Sequence, residues 1–201
     1  MKPVVLTRGI LIFILFVLLW GCISAPSSGK RYYQLHMLGD AGSPAHRIEK
    51  TLLVEPVEVD SVYDDYRLVY RLSPYELNYY AYEFWTKKPG ALVRDAVVDY
   101  LSKRGVFKKV ITRYADGDPD LLLQAEIHTI EEYDRADAWF AQLKMTIKIK
   151  SLKTDEIILL RRFDRRRKLS EKKVGKVPMA LSTILEEELA ILIAQLMKKV
   201  E

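Results

Sequence analysis

An alternation of apolar and polar residues with a period of two runs through the second half of this chain and leaves few folds open to it. Over 139–150, Trp139, Ala141, Leu143, Met145, Ile147 and Ile149 fall on one side, and Gln142, Lys144, Thr146, Lys148 and Lys150 on the other. Successive side chains of a strand point to opposite faces, so the pattern reads as a strand with one buried and one wet face. Parallel sheets covered on both faces read as continuous apolar runs instead, so the sheet is at least partly antiparallel. The stretch 121–128 repeats the alternation, with Leu121, Leu123, Ala125 and Ile127 opposite Leu122, Gln124, Glu126 and His128.

Further strands are expected at 32–35, 52–59, 67–71, 77–85, 107–112 and 157–165, with turns at 39–44, 118–120 and 153–156. Pro56 interrupts the second of these, because proline removes a ladder donor and favours an edge or a bulge. The close spacing of 67–71 and 77–85 suggests a hairpin. Two segments carry helical spacing. Leu92, Val93, Ala96, Val97, Tyr100 and Leu101 form one apolar face between Pro89, which suits a helix start, and Gly105, which suits its stop. Leu181, Ile184, Leu185, Leu189, Leu192 and Leu196 do the same within 177–199, with Glu186, Glu187 and Glu188 in the middle. The order is strands, helix, strands, helix. It predicts an α+β single domain, a mixed or antiparallel sheet with two main helices packed on one face. No internal repeat and no second domain is visible.

The N-terminus follows different rules. Lys2 and Arg8 precede a charge-free run from residue 9 to residue 20, after which come Gly21 and Cys22, the single cysteine of 201 residues. A bilayer core needs about 20 apolar residues in a helix, so the run is short for a span and fits the apolar region of a secretory leader. Leu19, Trp20, Gly21 and Cys22 resemble a bacterial lipobox, whose cysteine is acylated (palmitate is such an acyl group) and becomes the new N-terminus. One cysteine makes no intramolecular disulfide, which excludes a disulfide scaffold and leaves Cys22 free for lipidation. The small and polar residues that follow suit a tether. The expected organisation is therefore a signal peptide over 1–21, the lipidated Cys22 and a flexible tether over 22–30, and a folded domain over 31–201. Loss of Lys2 and Arg8 lowers the net charge from +5 to +3.

Catalytic chemistry is not written into the sequence. His36, His46 and His128 are far apart and show no zinc-ligand spacing, and there is no nucleophile elbow, Walker sequence or dinucleotide fingerprint. Glu131, Glu132 and Asp134 read as an acidic turn between two strands. The expectation is a protein without catalytic residues, metal or cofactor.

Two constellations suit binding. Tyr75, Tyr79, Tyr80, Tyr82, Phe84 and Trp85 crowd into one hairpin, and Tyr79, Tyr80, Tyr82 and Trp85 are candidates for partner contact, since aromatics with one wet end suit interfaces. A central strand with its aromatics in the core is the structural alternative. Residues 161–176 carry a net +7 against −4 for the rest of the mature chain. Arg161, Arg162, Arg165, Arg166, Arg167 and Lys168 are candidates for contact with anionic lipid or an acidic partner, and a solvated loop is the alternative. Nucleic acid is not expected of an exported protein.

These residues, taken in order, resemble the ABC-type transport auxiliary lipoproteins, the PqiC-like intermembrane transport lipoproteins among them. The resemblance rests on Tyr32, Tyr33, Gln34 and Leu35 shortly after the lipobox, and on Val54 to Val59. It continues through Leu68, Val69, Tyr70 and Arg71, then Glu76 to Trp85 and Pro89, and later the strand from Asp120 to Leu123. It implies an accessory role beside an ABC transporter permease and ATPase and an MCE-domain protein that together move lipids or other hydrophobic molecules between membranes. Ile23, not aspartate, follows the cysteine. In hosts that use aspartate for inner-membrane retention this implies the outer membrane, with the domain lipid-anchored and facing the periplasm. A homo-oligomer is compatible with such a role. Two alternatives remain open from the residues: a periplasmic lipid carrier with a pocket lined by Tyr82, Phe84 and Trp139, and an assembly lipoprotein for an outer-membrane protein.

Overall fold

The computed structural model describes residues 29–37, 47–135 and 137–200. The leader, Cys22, most of the tether, the turn at 39–44 and His46 lie outside the described residues. The strands are β1 (Arg31–Tyr33), β2 (Ile48–Val54), β3 (Glu58–Val59), β4 (Arg67–Ser73), β5 (Glu76–Trp85), β6 (Phe107–Ile111), β7 (Leu121–Asp134), β8 (Trp139–Ser151) and β9 (Ile157–Lys168). The helices are α1 (Pro89–Arg104), between β5 and β6, and α2 (Lys176–Val200), at the C-terminus. This is the expected α+β domain with a mixed sheet.

The long strand β7 organises the sheet. Along one edge it pairs in parallel with β2, β3 and β4 in turn, and along the other it pairs antiparallel with β8 over its whole length. Outward from these lie β6 on β2, β5 and β1 on β4, and β9 on β8. The period-two residues behave as the sequence requires: Leu121, Leu123 and Ile127 pair with Ser151, Ile149 and Met145, and the apolar members are buried on the same face. Both helices lie on that face. Leu92, Val93, Val97 and Leu101 of α1 and Leu181, Leu185, Leu189 and Leu192 of α2 share one cluster with Leu52, Leu123, Leu143 and Ile147. Each such side chain contributes about 1.5–3 kcal/mol by leaving water. On the opposite face Leu53, Ile111 and Leu122 form a small separate apolar cluster.

Local chemistry fixes the ends of α1. Pro89 opens it, and Gly105, at φ 62°, closes it in the left-handed conformation that glycine adopts without strain. Gly90 is required for a different reason: a Cβ there would lie 2.6 Å from the Val57 carbonyl oxygen and 2.9 Å from Val59 Cγ2, so the helix start packs directly on β3.

Two expectations need correction. The segment 52–59 is not one strand but two, β2 and β3, with Pro56 in the gap; Glu55 and Asp60 still donate to β7 at Leu123 and Ile127. Proline has no N–H to give the ladder, so pairing stops and restarts around it. The acidic triplet Glu131, Glu132 and Asp134 is not a turn but the last part of β7; the turn lies at Arg135 and Ala138. A β-bulge at His128 explains the misreading, since Ile127 pairs with Met145 and Thr129 with the adjacent Lys144. The extra residue reverses the alternation, so Ile130 returns to the core and Glu131 faces the opposite side.

Candidate functional site

The N-terminal end of the described chain is clamped to the sheet. β1 adds in parallel to β5, with Arg31 opposite Glu83, Tyr32 opposite Phe84 and Tyr33 opposite Trp85. Glu83 is buried, and the Arg31 guanidinium and the Tyr33 hydroxyl, at 2.7 Å, both donate to its carboxylate. Burial, with the carboxylate beside it, pushes the Tyr33 phenol up to about 12, so it remains a donor. On the outer side Tyr32, 61% exposed, stacks obliquely on Phe84 at 5.7 Å, and Lys30 sits 5.5 Å from the same ring. Two positions earlier on β5, Tyr82 is 53% exposed. Strand β1 therefore joins β5 in an exposed aromatic surface on a fixed strand pair.

The aromatic candidates separate here. Tyr82 is at the surface. Tyr79 is half-buried, donates to the Val62 carbonyl at 2.8 Å and lies under the Arg67 guanidinium. Tyr80 donates to Glu132 at 2.9 Å and its ring meets that of Tyr70 at 4.6 Å. Trp85, 3% exposed, belongs to the core and offers no surface, which corrects its place among the contact candidates. A large irregularity in the hairpin separates these roles: Tyr79 pairs with Val69, yet Phe84 pairs with Arg67. The intervening residues of β5 bulge out, so strict alternation does not predict which way each ring points.

The basic strand divides as well. Arg161, Arg165 and Arg167 point to the helix face. Arg161 and Arg165 meet the buried Glu188 of α2, and Arg167 meets Glu187. Arg166, on the opposite face, donates to Gln142 at 2.8 Å and lies over the Tyr133 ring. Arg162 and Lys168 are exposed. Three of the six basic candidates, Arg161, Arg165 and Arg167, thus hold the sheet edge to α2, which corrects their place among the contact candidates; charges on an edge strand also discourage strand addition.

Behind β4 lies a polar network that sequence reasoning missed. Glu131, 2% exposed, accepts from Tyr63 at 2.6 Å and from Arg71 at 2.7 Å, and Arg71 also donates to the Tyr63 hydroxyl at 3.1 Å. Burial drives the Tyr63 phenol up to about 12, and the carboxylate raises the Arg71 guanidinium further above its ordinary value. Glu132, 1% exposed, is pushed up to about 7 by burial, with Asp134 adding to the effect and the Tyr80 hydroxyl opposing it. No local sequence signal points to these partners, which come from segments about 50 to 70 residues apart. His128 shares a hydrogen bond with Thr146 at 2.9 Å on the wetter face. Among the described residues, no group of three or more His, Cys, Asp or Glu is placed to hold a metal ion, and no helix is long and apolar enough to cross a membrane.

Comparison with known proteins places this arrangement. No curated protein matches the chain. Among solved structures, protein XCC0632 from Xanthomonas campestris superposes with a TM-score of 0.69 at 18% identity, over 82% of this chain and 96% of that one. An uncharacterized protein gives 0.67 at 16%, over 83% and 98%. Protein CT253 from Chlamydia trachomatis gives 0.50 at 10%, over 74% and 98%. These likenesses concern the fold. The family model described as the ABC-type transport auxiliary lipoprotein component matches residues 33–193, from the clamp strand to the last turns of α2, and the chain belongs to that family.

Proposed function

We propose that this protein is a non-catalytic, lipid-anchored adaptor of the cell envelope, held in the outer membrane through Cys22 and facing the periplasm. It docks an MCE-domain protein and its ABC transporter permease and ATPase, which move lipids or other hydrophobic molecules between membranes. The observation that carries the reading is the clamp of Arg31 and Tyr33 on Glu83, immediately after the tether. A lipid-anchored domain of this kind needs a rigid surface near its point of attachment, and Tyr32, Phe84 and Tyr82 supply one of mixed aromatic character. Membership of the transport auxiliary family supports the same role. The cleft beside Trp139 includes neither Tyr82 nor Phe84, so it does not favour the carrier pocket expected from those three residues.

The test is affinity capture from solubilised envelopes. The native chain is expected to retain the MCE-domain protein, and the Tyr32→Ser/Tyr82→Ser chain to lose it while folding normally. Equal recovery with both chains overturns the docking surface, and recovery of a barrel protein in place of the MCE protein supports the assembly reading. Fractionation tests the anchor separately: once its leader is removed, the Cys22→Ala chain is expected in the soluble envelope fraction, and its retention in membranes overturns lipid anchoring.

A further inference from the structure

A second surface lies next to the clamp. Arg31, Tyr33, Trp139, Lys173, Lys176 and Met179 line an open cleft of about 590 Å³ between β1, the start of β8 and the beginning of α2. Its chemistry is amphiphilic. Lys173 and Lys176 share a single carboxylate, Glu171, at 2.7 and 3.2 Å, which leaves a positive excess. The positive end of α2, a helix of 25 residues that opens at Lys176, adds to it. The rest of the lining includes apolar groups: the Tyr33 ring packs near Gly175, Trp139 is half-buried against the core, and Met179 is 56% exposed. A thioether left in water beside two ammonium groups suits a ligand that carries an anion at one end and hydrocarbon at the other.

Chain length supports a membrane source. Cys22 stands nine residues before Arg31, and an extended chain spans at most about 3.6 Å per residue, so Arg31 at the edge of the cleft lies within about 32 Å of Cys22 and any acyl chains it carries. We infer that this cleft binds the headgroup and upper acyl carbons of an anionic phospholipid in the anchoring membrane, and thereby fixes which side of the domain faces that membrane. The lipid source rests on the reading of Cys22 as an anchor. The site differs from the arginine strand: Arg161, Arg165 and Arg167 are engaged by α2, whereas Lys173, with 71% of its side chain exposed, stands at the cleft mouth.

Trp139 is a built-in reporter. The lipoprotein, purified in a neutral detergent, is titrated with dihexanoylphosphatidylglycerol while tryptophan emission is followed. A saturable change is expected, absent with dihexanoylphosphatidylcholine and lost in Trp139→Phe, which assigns the signal to the cleft. Lys173→Glu/Lys176→Glu should weaken binding about thirtyfold, given the usual contribution of each cation near an anionic surface. Met179→Ser, which leaves every charge in place, should weaken it less and keep the preference for phosphatidylglycerol. Equal responses to both lipids, reproduction of the change by inorganic phosphate alone, or an unaltered affinity in a folded charge-reversed chain overturns the inference. Flotation of the native and Cys22→Ala chains with phosphatidylcholine vesicles tests the anchor independently, so failure of the anchor and failure of the cleft give different results.

Discussion

Arg161 donates through Nε to Glu188 Oε2 at 2.6 Å, and Arg165 takes the other oxygen at 2.7 Å, so one buried carboxylate of α2 holds two arginines of the edge strand β9. Glu188 is 2% exposed, and the Arg161 side chain is 13% exposed. Removing the acid strands a nearly buried guanidinium. Glu188→Ala is expected to cost about 3–5 kcal/mol in urea denaturation, with most of the loss from Arg161 because Arg165 stays solvated. Arg162→Ala, on the open face, should change stability by no more than about 0.5 kcal/mol. Equal small effects in both variants would show that Glu188 is not holding the edge.

Glu132 makes stability depend on pH in an unusual direction. Its folded pKa, about 7, lies above the ordinary 4.5, so between those values the folded state holds more protons than the unfolded one. The stabilisation from this group is fully present below pH 4.5 and is lost as pH rises to about 7. Glu132→Gln keeps an acceptor for Tyr80 and removes the charge. It should raise the melting temperature at pH 8, by an amount corresponding to as much as about 3 kcal/mol, and leave it nearly unchanged at pH 4. A parallel pH profile for the two chains would contradict this assignment.

Trp85 and Tyr82 lie three positions apart on β5 and should behave oppositely. Trp85→Ala is expected to cost about 3–5 kcal/mol through the cavity it leaves. Tyr82→Ala should stay within about 0.5 kcal/mol of the native chain while altering partner capture. Chemical denaturation with capture from envelopes checks both.

Gly90→Ala sets helix propensity against packing. Alanine favours a helix interior by about 1 kcal/mol, but its methyl group would meet the Val57 carbonyl oxygen at 2.6 Å. Displacing backbone should outweigh the gain, with a net loss of about 1–3 kcal/mol in thermal or urea unfolding. A stabilised variant would mean that α1 can slide away from β3 at little cost.

Much of the architecture was legible because it is set by local periodicity. The wet and dry faces of β8, the Pro89 and Gly105 limits of α1 and the leucine stripe of α2 each depend on residues near one another in sequence. The family resemblance, carried by the order of such segments, could be read for the same reason. Periodicity failed at irregular backbone, namely the gap at Pro56, the bulge at His128 and the distorted middle of β5, where an odd number of extra residues exchanges the faces.

The sequence by itself determined the two helices, most of the strands and their order, a sheet at least partly antiparallel, and the family resemblance. It also carried the apolar leader pattern and the lone Cys22. Only the tertiary structure decided the roles of the charges and rings, because a side chain's function depends on neighbours brought from distant segments. It turned Trp85 into core, divided the arginine run between α2 and the open face, and buried Glu131 and Glu132 among tyrosines. It also brought the Lys173–Lys176 cleft against Arg31 and Tyr33 of β1, a juxtaposition across more than 100 residues that no local pattern encodes.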